Sequence, residues 1–217
     1  MTRAPLSRNE NSPARYPGAT AADLELPEMR VSYVSLPKVG EISNGDAAFY
    51  RTDEHRTTML ALVDSLGHGP EVAKVTKSAL DRLGGVSLQN PLLQIMEDLH
   101  HQLRGSRGAA ATICLIRAGR IAACGVGNGE IRSAETAMPF VFSPGILGAR
   151  VQKFRVCEAE LRAGTRLVLF SDGISTRLRL DLVRSLSPKE ACAAIIEKHR
   201  KAEDDATVIV ADIGVTQ

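Results

Sequence analysis

The sequence predicts an antiparallel α+β fold whose strands gather into a two-sheet sandwich. Three observations carry that prediction. Short period-two segments flank turns, as in hairpins. Two helical segments follow the first hairpin directly, which suits an antiparallel mixed fold better than β–α–β alternation. Several strand-like segments also end or begin at an aspartate. The 217 residues are 44% hydrophobic and 24% charged, as expected of one globular domain with a sizeable core. Tryptophan is absent and aromatics make up 4%, so that core must be aliphatic.

The elements read as follows. Residues 1–30 are rich in Pro, Arg, Asn and Ala and read as a disordered or loosely attached leader, with the domain over 31–217. Residues 31–35 alternate with period two and read as an edge strand. Residues 47–51 and 57–63 read as a hairpin around the polar turn 52–56. A turn centred near His55 places Asp46 opposite Asp64, and directly opposed residues have Cβ atoms about 4.5–5.5 Å apart. A helix should follow Gly69, because Pro70 suits a first turn where its missing N–H does no harm. Its stripe is Val72, Val75, Ala79 and Leu83, and Gly84-Gly85 should end it. A second helix is expected over 91–103, capped by Asn90, with Leu92, Met96, Leu99 and Leu103 facing inward.

The pattern then returns to strands. Residues 110–117 and 120–126 read as a hairpin around Ala118-Gly119, with shorter strands at 130–134, 140–142 and 153–158. Residues 166–170 form a buried strand running into Ser171-Asp172-Gly173. A short helix is expected near 178–184. Ser187 and Glu190 have capping-box spacing and open a final helix, and 207–213 is the last strand. Antiparallel pairing of the strands that meet Asp172 and Asp204 would set both carboxylates on one sheet edge.

Composition excludes several classes. A net charge of +2 with scattered arginines gives no basic stripe for nucleic acid. No apolar run approaches the ~18 residues of a membrane helix. There is no signal-peptide core either, so a cytoplasmic monomer is expected. Cys114, Cys124, Cys157 and Cys192 form no C-x-x-C pair and read as reduced, mostly buried thiols. A Cys114–Cys124 disulfide across the hairpin is the lesser alternative.

The chemistry lies in four aspartate motifs: Gly45-Asp46, Asp64-Ser65-Leu66-Gly67-His68-Gly69, Ser171-Asp172-Gly173 and Asp204-Asp205-Ala206-Thr207. Converging carboxylates repel, by roughly 4 kcal/mol for a pair ~4 Å apart at an effective dielectric near 20. They therefore need raised pKa values or divalent cations. Two Mg²⁺ or Mn²⁺ ions, which prefer oxygen ligands, would suit them. Taken alone, Gly-Asp, Ser-Asp-Gly or Asp-Asp is more often a plain turn. The apolar strand running into Asp64 and the ordered set of four favour a site. His68 reads as a residue that orders its turn, and His100-His101 as the polar face of a helix. Gly125-Val126-Gly127-Asn128-Gly129 lacks the lysine and helix of a phosphate loop and reads as a tight β-turn.

This ordered series resembles the metal-dependent protein serine/threonine phosphatases, in particular their compact bacterial SpoIIE-type branch and its stressosome feedback phosphatases. The resemblance spans residues 31–213. It implies a four-layer α-β-β-α sandwich, two antiparallel sheets flanked by helices. It also implies two Mn²⁺ or Mg²⁺ ions bridged by Asp64, with the Ser65 carbonyl on one ion. Asp172 and Asp204 would bind the other, and Asp46 would act directly or through a water. A water bridging the ions would attack phosphorus in line, without a phosphoenzyme. The implied substrate is phosphoserine or phosphothreonine on a STAS-domain or stressosome protein. Larger relatives hold phosphate with an arginine near the N-terminus, for which Arg30 and Arg51 are the positional candidates. The competing expectations are a catalytically silent phosphatase-like module that docks a partner, and a two-metal nuclease, which the charge balance disfavours.

Overall fold

The computed structural model describes residues 18–26, 28–67, 69–133, 135 and 138–214. One antiparallel sheet has the order β1 (Thr20–Leu26), β2 (Met29–Leu36), β10 (Ala206–Ile213), β9 (Arg166–Phe170), β7 (Glu130–Ser133). The other has the order β3 (Asp46–Thr52), β4 (Thr58–Ser65), β5 (Ala109–Arg117), β6 (Arg120–Val126), β8 (Val156–Glu160). Helices α1 (Pro70–Gly85) and α2 (Leu92–Gln102) cover the outer face of the second sheet. Helix α3 (Pro188–His199) covers the outer face of the first. The layers are α-β-β-α, as expected.

Side-chain parity shows why the chain packs this way. On β4, Met59, Ala61 and Val63 face the helices, whereas Leu60 and Leu62 face the opposite sheet. On β10, Ile209, Ala211 and Ile213 face between the sheets, and Val208 and Val210 face α3. A strand covered on both sides needs an unbroken apolar run, and β4 and β10 have one. Three aliphatic cores result, one for each gap between layers.

Several local expectations change. Residues Thr20–Leu26, inside the stretch read as leader, form β1, which pairs with β2 from Thr20↔Ser35 to Leu26↔Met29. β2 is therefore an inner strand, not an edge. Residues 1–17 of that stretch lie outside the described residues, as do His68 and Ala134. Asn90 does not cap α2; Pro91 occupies the cap position, and no side chain bonds there. Residues 140–142 form no strand; Phe140 and Phe142 pack against the core between the sheets, and the next residue, Ser143, bridges to Val126. Near 178–184 there is only one 3-10 turn, Leu180–Val183. The capping box of α3 is formed in both directions. The four cysteines are free thiols. Cys114 faces Ala123 and Cys124 faces Ile113, so no disulfide joins them.

Candidate metal centre

Parity also builds the site. Asp64 continues the 60, 62 face of β4 past its last apolar residue, and Asp46 is its direct partner across the hairpin. Ser171 and Thr207 continue the inward faces of β9 and β10 at the same end, where Ser171 N–H donates to the Thr207 carbonyl at 3.0 Å. Four strand ends from both sheets thus deliver polar groups to one place between the layers. Asp172 follows β9 and Asp204 precedes β10, so these antiparallel neighbours bring their carboxylates to the same edge.

The resulting open cavity is about 340 Å³ and is lined by Asp64, Ser65, Asp172, Asp204 and Asp205, with Gly67 and Asn128 on its walls. Four of the predicted site residues therefore share one cavity. The fifth, Asp46, lies behind it. It is 4% exposed, and its Oδ2 is buried without a hydrogen-bond partner.

The electrostatics are those of crowded carboxylates. Burial first, and then the charges of Asp172, Asp204 and Asp205, raise Asp64 to about 7. Burial and the Asp64 charge push Asp46 well above the usual carboxylate range. The hydroxyls of Ser171 and Thr207 pull it partway back. Asp172 is raised by burial and by Asp204, against the nearby Lys201 ammonium.

Two residues at the site carried no role in the sequence reading. Asp205 accepts from the backbone N–H of Lys38 at 2.6 Å and of Gly45 at 2.7 Å, tying β10 to the segment that leads into Asp46. Its doubled-aspartate motif was the available signal. Asn128 Nδ2 donates to Asp172 Oδ2 at 2.5 Å, so the turn after β6 orients a site carboxylate as well as reversing the chain. The Ser65 hydroxyl meets Thr76 Oγ1 at 2.9 Å. Arg30 pairs with Asp212, and Arg51 donates to the carbonyls of Gly84 and Val86. Neither lines the cavity.

Among the described residues no three Asp, Glu, His or Cys side chains form a ready ligand cage. The carboxylates instead ring an open space. Hard cations such as Mg²⁺ keep several waters and take few protein ligands, so an open ring of oxygens suits them. The partnerless Asp46 Oδ2 is the further sign of fit. A buried polar atom without a partner is costly, and a cation or its water would satisfy it.

Comparison with known proteins agrees with this geometry. Residues 54–214 match the family model described as Stage II sporulation protein E (SpoIIE). One similar solved structure is described as "The bacterial stressosome: a modular system that has been adapted to control secondary messenger signaling". It is 31% identical, with a TM-score of 0.79, over 85% of this chain and 99% of that one. RsbX in complex with magnesium is 21% identical with a TM-score of 0.79, over 90% of this chain and 100% of that one. The Mycobacterium tuberculosis serine/threonine phosphatase PstP/Ppp is 16% identical with a TM-score of 0.64, over 86% and 99%. No curated protein matches the sequence.

Proposed function

We propose, since this chain belongs to the SpoIIE family and is a protein serine/threonine phosphatase, that its aspartate cavity is a two-cation hydrolytic centre. Asp64 and the Ser65 carbonyl would hold one Mg²⁺ or Mn²⁺ ion, with Asp64 shared. Asp172 and Asp204 would hold the other, and Asp46 would act directly or through a water. Bound there, the ions would supply a water made acidic enough to attack at neutral pH, and would neutralise charge on the phosphoryl oxygens.

The chain's own groups support this division. Asn128 fixes the Asp172 carboxylate, and Asp205 fixes the backbone before Asp46. The cavity lining contains no thiol, and the Ser65 hydroxyl is turned to Thr76, so water is the nucleophile this site favours. The proposed substrate is phosphoserine or phosphothreonine on a STAS-domain or stressosome regulator. The 31% identical structure described with the bacterial stressosome, and the likeness to RsbX, support that choice. No helix among the described residues is long and apolar enough to cross a membrane. The silent-module alternative is disfavoured because all four motif aspartates are present and converge.

The observation that carries the proposal is the partnerless Asp46 Oδ2 behind a ring of carboxylates. The test is hydrolysis of p-nitrophenyl phosphate with Mn²⁺, followed by phosphorylated stressosome scaffold and STAS antagonist side by side. Activity should vanish with EDTA. Asp64→Ala should fold normally and lose at least about 10³-fold in kcat. Full activity in that variant would sink the metal role.

A further inference from the structure

Beside the aspartate cavity runs a groove of about 520 Å³ between α1 and the end of α2. Its lining includes the apolar Val75 and Leu103, with Lys74, Ser78, Gln102 and Arg107 along the walls. Gln102 Nε2 donates to Ser78 Oγ at 3.0 Å and ties the two helices together there. The groove begins where the loop after Asp64 and Ser65 enters α1, because Glu71, the second residue of that helix, is also in its wall.

Gly67 joins the two hollows. It lines the aspartate cavity, and the Arg107 guanidinium packs onto it, with Nη1 2.7 Å from where a Cβ would stand. Its φ of +101° also favours glycine. Leu66 N–H donates to the Gly108 carbonyl at 3.0 Å, so the loop is stitched to the segment that carries Arg107.

The charges of the groove do not cancel. Lys74 is paired with Glu71 at 2.6 Å. Arg107 is exposed and makes no hydrogen bond or ion pair with any described residue. Lys201 stands beside the cavity, but its ammonium already donates to the Asp172 carbonyl at 2.5 Å. Glu71 is held low by Lys74 first and also by the Arg107 charge. Arg107 thus lines the groove, not the cavity, as a guanidinium without a bonded partner at the junction of the two. A carboxylate is its chemical complement.

We propose that this groove receives the polypeptide flanking the phosphorylated residue and that Arg107 selects an acidic side chain there. The proposal rests on the phosphatase reading above. Because Arg107 packs onto Gly67 in the cavity wall, the selected side chain lies close in sequence to the phosphoserine or phosphothreonine.

The test uses the Mn²⁺-loaded full chain and three kinds of substrate. These are p-nitrophenyl phosphate, phosphoserine peptides with glutamates on one side or the other, and the same peptides with glutamines. The wild type should prefer one glutamate peptide over its glutamine counterpart by about two- to fivefold, through KM, as expected of an exposed charge pair. Arg107→Ala should abolish the preference and Arg107→Glu should reverse it. Both should stay within about twofold of wild type on p-nitrophenyl phosphate, with unchanged Mn²⁺ binding by calorimetry. A wild type that does not distinguish glutamate from glutamine overturns the proposal. So does an Arg107→Ala that loses as much on p-nitrophenyl phosphate as on peptides, since Arg107 would then touch the phosphoryl group itself. A wild type inert even toward p-nitrophenyl phosphate is a different result: it would remove the phosphatase reading, and this proposal with it.

Discussion

At the scale of single residues, Asp172 depends on a neighbour outside its own motif. Asn128 reaches its Oδ2 from the turn after β6, 44 positions away in sequence. Groups that orient a metal's carboxylate ligands typically change affinity or activity by about 10–100-fold when removed. Asn128→Ala should therefore lower kcat/KM by about that factor and raise the Mn²⁺ needed for half-activity, with little change in thermal stability. Metal titrations of activity beside a melting curve check both. A variant that matches wild type in its metal dependence would reduce Asn128 to a turn residue. Sequence pattern identified the aspartates because each lies at the end of an apolar run. It did not identify Asn128 or Asp205, because their partners are distant: Asn128 bonds to another strand's carboxylate, and Asp205 bonds to backbone N–H groups of Lys38 and Gly45. Turn chemistry explains either residue equally well until the strands are placed.

At the scale of elements, the site depends on how closely the β9 and β10 ends approach. A Cβ on Gly173 would stand 1.8 Å from the Asp205 carbonyl oxygen and 2.8 Å from its carbon, both backbone atoms that cannot swing aside. Gly173→Ala should thus push Asp172 away from Asp204, destabilising the fold by about 1–3 kcal/mol and reducing metal affinity. Gly84→Ala is the contrast. Gly84 lies within α1 with nothing near its missing Cβ, and alanine there should stabilise by roughly 0.5–1 kcal/mol. Urea unfolding of the two variants should move in opposite directions; a neutral Gly173→Ala would refute the tight approach. The hairpin placing Asp46 opposite Asp64 was legible because its strands are apolar and its turn is polar. β1 was not legible. It is an edge strand with no fully buried residue, and its short alternation, Ala22-Asp23-Leu24-Glu25-Leu26, stands at the end of a long Pro- and Arg-rich leader. Its role shows only against β2, whose inward residues it helps cover.

At the scale of the whole molecule, the two sheets and outer helices bury carboxylates together at one end, and the metal-free fold must carry the cost of that burial first and of their repulsion second. Asp64 is raised from the ordinary value of 3.8 to about 7, and Asp46, Asp172 and Asp205 are raised as well. The sign follows from linkage. Between the unfolded and folded pKa values the folded chain holds more protons than the unfolded one, so stability falls as pH rises. For Asp64 the stability is fully present below about pH 4 and is lost as pH rises through about 7. In EDTA the melting temperature should therefore decline across that window. The loss for Asp64 is on the order of a few kcal/mol, or roughly 2–4 °C for each kcal/mol in a chain of this size. Exposed carboxylates held low by partners, such as Asp23 and Asp181, act in the opposite sense. The informative quantity is thus the difference between wild type and Asp64→Asn, which removes the ionisation and should flatten the decline. Adding Mn²⁺ should restore wild-type stability, most strongly at neutral pH, because a cation binds the deprotonated site and its binding free energy adds to that of folding. Asp64→Asn should recover far less. Identical pH profiles for the two proteins in EDTA, or equal Mn²⁺ stabilisation of both, would show that the carboxylate ring neither strains the metal-free fold nor holds the ion.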